Sequence, residues 1–128
     1  MATHTTDFWP DDIGQSDLKT PVALLREQAT ALGEKTKNVV TAEVASSSDG
    51  GWIVHDLYIV APAINYRYQL LTIRHPLLLY PMLAKEPSSV AWIKLESEDD
   101  FIQWLKTTLT SDRTKKAIQA MIAQSQGQ

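Results

Sequence analysis

The sequence lacks cysteine altogether, so it has no disulfide framework, no thiolate zinc site and no thiol nucleophile. It also lacks a long apolar run, because the longest one, residues 76–84, is far shorter than the roughly 20 residues that a membrane helix needs. The opening residues MATHTTDFWPDDIG have neither a basic start nor an apolar core, which argues against a signal peptide. We therefore expect a cytoplasmic protein with no membrane association.

An excess of positive charge is missing as well. Lysine and arginine number 12 against 15 aspartate and glutamate residues, which makes the chain slightly acidic with a formal net charge of −3. Without a positive field the chain has little to attract phosphates, so nucleic acid is disfavoured as the main partner. With 128 residues, of which 44% are hydrophobic and 21% charged, the composition is that of a single globular domain.

Recognisable catalytic and metal-binding motifs are absent too. The 3 histidines show no HxH, HxxxH or HExxH spacing, so we expect no metal. His55 and Asp56 are adjacent in a strand-like segment and would point to opposite faces, which prevents them from acting as a dyad. The turn at residues 46–51 lacks the lysine of a phosphate-binding loop, and no serine lies in a GxSxG elbow. The sequence therefore favours a non-catalytic protein without a cofactor.

The chain divides into an arm and a domain. Residues 1–19 carry scattered acids around the apolar pair Phe8–Trp9, which predicts an irregular arm, whereas residues 20–125 form the domain. A hydroxyl residue followed by proline or by acids is typical of a helix start, and this pattern occurs at residues 20, 97 and 111. Strand-like segments bounded by turn residues cover residues 39–46, 52–61, 66–74, 77–83 and 90–96.

This element order predicts an α+β fold. Consecutive strands joined by short turns favour an antiparallel meander of four or five strands, with one N-terminal helix and two C-terminal helices packed mainly on one face. The first hairpin should turn at residues 47–51, where glycines allow positive φ angles. Pro81 cannot donate to a ladder, so we expect the fourth segment to be an edge strand.

Side chains alternate across a strand, and this alternation predicts two unlike faces of the sheet. One face of the second and fifth segments is mostly aliphatic, and we expect the helices to cover it. The other face mixes aromatic rings with charges, and we expect it to be uncovered. The predicted partner-binding residues on that face are Trp52, Tyr58, Tyr66, Tyr68, Arg74, Trp92 and Lys94.

Tryptophan, tyrosine and arginine dominate the energetics of protein interfaces. The leading hypothesis is therefore a small protein-binding module of the immunity, antitoxin, adaptor or inhibitor type, such as bacteria and phages encode. Phe8 and Trp9 form either a docking element for a partner or a clasp over the aromatic face, and their spacing does not choose between these roles.

Three other hypotheses stay open. A small enzyme or small-ligand-binding domain would use a polar pocket near His75, Arg67 and Asp56. Such a site would need a cleft larger than about 300 Å³ with converging polar groups. A homodimer would pair through an exposed sheet face or strand edge. An RNA reader would stack bases on the aromatic face, although the glycine- and arginine-rich signature of such readers is missing.

Overall fold

The computed structural model describes residues 6–127, so His4 of the arm lies outside the described residues. The first helix, α1, spans Pro21–Lys35. Its start follows the local sequence, because the Thr20 hydroxyl accepts a hydrogen bond from the Ala23 N–H at 3.2 Å and Pro21 occupies the first turn. From residue 6 to residue 20 the arm contains neither helix nor strand.

Five strands form one antiparallel sheet in the order β1-β2-β3-β4-β5, which confirms the predicted α+β meander. The strands are β1 Thr41–Asp49, β2 Trp52–Ala61, β3 Tyr66–His75, β4 Met82–Lys85 and β5 Ile93–Leu95. The first hairpin turns at Gly50 and Gly51, with φ angles of 55° and 88° that suit glycine. The turn is shorter than predicted, because the ladder continues to the pair Asp49–Trp52.

The position of Pro81 corrects one prediction. The fourth strand-like segment was expected over residues 77–83 at an edge, but the strand is Met82–Lys85 and it pairs with both β3 and β5. Pro81 comes immediately before the strand, so its missing N–H removes nothing from the ladder. Leu77 and Leu78 belong instead to an exposed loop. The edge strand on this side is β5, a three-residue strand within the predicted segment 90–96.

Two helices follow the sheet as the sequence predicts: α2, Glu98–Leu109, and α3, Asp112–Gln126. The hydroxyls of Ser97 and Ser111 cap them by accepting hydrogen bonds from backbone N–H groups two to three residues into each helix. None of the helices in residues 6–127 is long and apolar enough to cross a membrane.

All three helices pack on one side of the sheet, which we call the covered face. Its buried residues alternate along β2 and continue onto the neighbouring strands: His55, Leu57, Ile59, Ala61, Leu70, Leu71, Ile73, His75, Met82, Ala84 and Leu95. Leu25 of α1, Phe101 of α2 and Met121 of α3 bury their side chains against them. This assembly is the hydrophobic core.

The opposite side, which we call the open face, carries no helix. Its residues on β2 are half-exposed where those of the covered face are buried. The residues of the open face include Trp52, Val54, Asp56, Tyr58, Arg67, Gln69, Thr72, Arg74, Leu83, Lys85, Trp92 and Lys94.

A β-bulge in β3 changes which residues belong to each face. Leu57 pairs with Leu71, but the next residue, Tyr58, pairs with Gln69, so Leu70 is an extra residue in β3. An extra residue shifts the alternation of side chains by one position on its far side. Side chains of β3 that precede Leu70 therefore point to the face opposite to the one that simple alternation predicts.

The bulge makes the predicted placement of Tyr66 and Tyr68 wrong. The two tyrosines lie on the same side as the helices, and their neighbours Arg67 and Gln69 lie on the open face. The sequence of β3 does contain a signal for the bulge, because the alternation of apolar and polar residues changes phase at the adjacent pair Leu70–Leu71.

Candidate interaction surface

The centre of the open face is a stack of two cations and two indole rings. The guanidinium of Arg74 lies 4.9 Å from the ring centre of Trp52 and 4.4 Å from that of Trp92. The Lys85 ammonium lies 4.8 Å from the ring centre of Trp92. These distances fall within the range of cation–π attraction. We call these four residues the Trp–Arg stack.

Strand register brings the Trp–Arg stack together from four separate segments. Trp52 is the first residue of β2, Arg74 is the last but one of β3, Lys85 ends β4, and Trp92 precedes β5. Arg74 pairs with Leu83, and Leu83 pairs in turn with Lys94, which carries the arrangement across to the edge strand. The stack therefore exists only when the sheet is folded.

The two cations of the stack have no acidic partner. Among the described residues, neither Arg74 nor Lys85 forms an ion pair, and the buried Nε of Arg74 has no hydrogen-bond acceptor. A buried N–H without an acceptor costs free energy, and an anionic ligand would recover it. The Trp–Arg stack thus combines apolar rings with uncompensated positive charge.

The other two cations of the open face are compensated within the protein. Arg67 lies over the Tyr58 ring at 4.0 Å and forms an ion pair with Glu43 at 3.3 Å. Lys94 forms one with Glu96 at 3.4 Å. The Asp56 carboxylate accepts a hydrogen bond from the neutral Gln69 amide at 3.1 Å. The positive charge available on this face is consequently concentrated at Arg74 and Lys85.

Tyr66 and Tyr68 lie instead in a cleft of about 560 Å³ against α3, which they line together with Arg113, Lys116 and Met121. Of the predicted contact set, Trp52, Tyr58, Arg74, Trp92 and Lys94 share the open face. The two tyrosines do not share it, because the bulge at Leu70 turns them to the other side.

Arg113 holds the bulge in place. Its guanidinium donates to the Leu70 carbonyl at 2.8 Å and to the Tyr68 hydroxyl oxygen at 3.0 Å, and it lies 3.4 Å from the Glu86 carboxylate. The extra residue of a bulge is left out of the ladder, so its carbonyl needs a hydrogen-bond donor from elsewhere. Arg113 supplies that donor, which indicates a structural role.

The arm leaves the open face uncovered. Phe8 is 91% exposed and Trp9 is 71% exposed, so neither ring acts as a clasp over the domain. Ile13 and Leu18 are also exposed. An aromatic pair this exposed is unusual for a chain with an otherwise well-formed core, and single exposed apolar residues are much more common than clusters.

A pair of histidines lies under the helices rather than in a cleft. The Nε2 atoms of His55 and His75 are 3.2 Å apart, and both side chains are buried. His75 Nδ1 donates to the Pro76 carbonyl at 2.7 Å, because a carbonyl can only accept. With His75 neutral, its Nε2 accepts from His55 Nε2, and His55 Nδ1 then accepts from the Ser46 hydroxyl at 2.7 Å.

Burial lowers the pKa of His55 from 6.5 to about 4, with further contributions from His75 and Arg26. His55 is therefore neutral near pH 7, in agreement with its hydrogen-bond directions. Ser46, His55 and His75 have the order of a nucleophile, a base and an orienting group, but none of them lines any of the four clefts described in this section. Their bonds satisfy buried polar groups across neighbouring strands.

The residues proposed for a polar pocket do not converge. Arg67 and Asp56 lie on the open face, whereas His75 is buried on the covered face. An apolar cleft of about 310 Å³ does exist between α1, the sheet and α3, lined among others by Leu32, Leu57 and Ile118. Two further clefts, of about 360 Å³ and about 770 Å³, lie near Pro62 and near Tyr80. The 122 residues from 6 to 127 contain no cluster of three potential metal ligands.

Sequence reasoning missed Lys85, Arg113 and the contact between His55 and His75. Lys85 lies outside the predicted strand segments, and only its pairing with Thr72 places it on the open face. Comparison of the chain with protein-family models, with curated proteins and with solved structures finds no match. The function must therefore be inferred from the surface itself.

Proposed function

We propose that the protein is a non-catalytic protein-binding module of the immunity, antitoxin, adaptor or inhibitor type, and that it acts in the cytoplasm. The partner contacts the open face, and the Trp–Arg stack is the centre of the contact. The observation that carries the proposal is an uncompensated pair of cations between two half-exposed tryptophan rings on a helix-free sheet face.

The composition of the stack supports this function. Tryptophan and arginine are the residues most enriched among interface hot spots, and such residues cluster near the centre of an interface. Leu83 pairs with Arg74 and with Lys94, so an apolar side chain and the neutralised Lys94–Glu96 pair lie beside the stack. This arrangement is typical of a contact centre with a polar rim.

Site-specific photo-crosslinking tests the proposal. A photoreactive amino acid replaces Leu83 on the open face, and in the control it replaces Gln119, an exposed residue of α3. We expect a defined crosslinked partner in native extract for position 83 and none for position 119. Crosslinking of the same species from both positions would contradict the assignment of the surface.

A pair of substitutions tests the stack itself. Trp52→Ala together with Trp92→Ala should abolish recovery of the crosslinked partner, because it removes both rings that hold Arg74. Tyr66→Ala is the matched control, since Tyr66 is 51% exposed but lies on the other side of the sheet. Equal recovery with the double variant and with the control would overturn the proposal.

The apolar cleft of about 310 Å³ is the observation that favours a second candidate, a domain that binds a small apolar ligand between α1 and the sheet. Leu32→Trp would fill this cleft without touching the open face. If the function is ligand binding, this variant abolishes it, and the Trp52/Trp92 variant leaves it intact.

A further inference from the structure

Two regions of the chain carry opposite charges and both expose aromatic rings, although they do not contact each other. One is the Trp–Arg stack. The other is the segment 7–13, DFWPDDI, which we call the acidic arm; it contains three aspartates and no cation. We propose that the open face binds an acidic, aromatic, extended segment, and that the acidic arm of a second copy of this chain is such a ligand.

This inference rests on the proposed function, because it names the class of segment that the open face takes. The first argument is electrostatic. Arg74 and Lys85 lack carboxylate partners within their own domain. Asp7, Asp11 and Asp12 are exposed and form no ion pair with any cation among residues 6–127. A charge-assisted hydrogen bond to Arg74 Nε would satisfy a buried donor that has no acceptor.

The second argument is apolar burial. Phe8, Trp9 and Ile13 are 91%, 71% and 58% exposed, so the acidic arm presents all of its large apolar side chains to solvent. The rings of Trp52 and Trp92 are half-exposed on the open face and offer flat surfaces for Phe8 and Trp9. Pro10 restricts the backbone between the aromatic pair and Asp11, which lowers the entropy lost on docking.

The third argument concerns the position of the arm on its own domain. Ser16, Leu18 and Lys19 lie beside the loop 77–80 and the start of α2, next to a cleft of about 770 Å³. The acidic arm therefore projects from the domain at this end and leaves its own open face bare. Two copies that exchange arms form a closed, two-fold dimer in which each contact occurs twice.

The cost of ordering the arm predicts a weak dimer. A buried phenylalanine or tryptophan contributes about 150–250 Å² each, so four rings and the matching area of two faces reach roughly the 1,200–2,000 Å² of a standard interface. Each arm contains neither helix nor strand and loses conformational freedom on docking, which offsets much of this burial. We expect association in the micromolar range or weaker, so that a foreign protein with a better acidic segment can displace the arm.

Sedimentation equilibrium of the full chain tests the proposal between about 1 μM and about 1 mM. We expect a reversible monomer–dimer equilibrium that weakens with added salt, because the pairing is between exposed charges. Phe8→Ala with Trp9→Ala, and separately Arg74→Gln, should each raise the dissociation constant at least about tenfold, a change of about 1.4 kcal/mol. Lys85→Gln serves as a second charge variant, and thermal unfolding verifies that each variant is folded.

Two control variants match these changes. Leu77→Ala with Leu78→Ala removes an apolar pair that is 78% and 84% exposed but lies outside both regions. Lys115→Gln removes an exposed cation of α3. Neither control should change the dissociation constant.

Mixing the arm variant with the Arg74→Gln variant separates exchange between copies from docking within one chain. The mixture can form one intact contact, between the arm of the Arg74→Gln chain and the face of the other, so dimers should reappear in the mixture alone. A wild-type chain that is monomeric throughout overturns the proposal, as does a dimer that is insensitive to both sets of variants. The dimer proposal can fail while the proposed function stands. This is the case if crosslinking at position 83 still captures a partner that is lost in the Trp52→Ala/Trp92→Ala variant.

Discussion

The two faces of the sheet use charge and apolar surface in opposite ways. On the covered face, the buried histidines bond to each other, to Ser46 and to the Pro76 carbonyl. On the open face, Arg74 and Lys85 contact aromatic rings, and neither forms an ion pair with any residue from 6 to 127. A protein tolerates uncompensated groups where another molecule completes them, and this difference supports our proposal that the open face contacts a partner.

The largest expected effect is on stability, and a matched pair of leucines reveals it. Leu71 is fully buried on the covered face, whereas Leu83 is half-exposed on the open face. Leu71→Ala should lower the free energy of unfolding by about 2–5 kcal/mol, because it leaves a cavity in the core. Leu83→Ala should cost less than about 1 kcal/mol. Urea denaturation measures both, and equal losses would mean that the open face is covered in solution.

Arg113→Ala should have the next largest effect. It leaves the Leu70 carbonyl without its donor and removes the ion pair with Glu86, which should cost about 1–3 kcal/mol. Lys116→Ala, an exposed neighbour on α3, is the control. If Arg113→Ala is as stable as the control, the guanidinium does not hold the bulge.

Acid should destabilise the protein through the covered face. The pKa of His55 is about 4 in the folded protein against 6.5 for an unperturbed histidine, so the unfolded chain takes up a proton first as the pH falls. Stability from this group is complete above about pH 6.5 and declines between 6.5 and 4. Denaturation at several pH values should show this slope, and His55→Gln should flatten it. The same slope in His55→Gln would assign the effect to other groups.

The smallest expected effect on stability comes from two arginines of the open face. Arg74→Gln and Arg67→Gln should each cost no more than about 1 kcal/mol, because exposed cation–π contacts and surface ion pairs contribute little. Their effects on binding should differ sharply, since Arg67 is neutralised by Glu43 and Arg74 is not. If both variants lose binding equally, the absence of an acidic partner is not what makes Arg74 important for binding.

Local signals in the sequence were sufficient for the helix starts and the order of the elements. Hydroxyl groups at residues 20, 97 and 111 form the expected caps, and glycines at 50 and 51 make the first turn. These features depend on residues within a few positions of each other, so the chain specifies them without reference to its tertiary structure.

The candidate site was predicted only in part. Trp52, Tyr58, Arg74, Trp92 and Lys94 share the open face as expected, because the alternation in β2 and after the bulge in β3 is regular. Tyr66 and Tyr68 were assigned to the wrong face, since one extra residue at position 70 inverts the alternation before it. A bulge depends on what the neighbouring strand and the overlying helix require, here the donor from Arg113, and neither is adjacent in sequence.

The sequence by itself determined an α+β meander with capped helices at its ends and one aliphatic and one aromatic sheet surface. Only the tertiary structure decided that Arg74 and Lys85 converge on two tryptophans, and that His55 meets His75. Caps and turns follow from contacts between near neighbours, whereas these convergences depend on strand register. Register is fixed only when distant segments pair, and a shift of one residue moves a side chain to the opposite face.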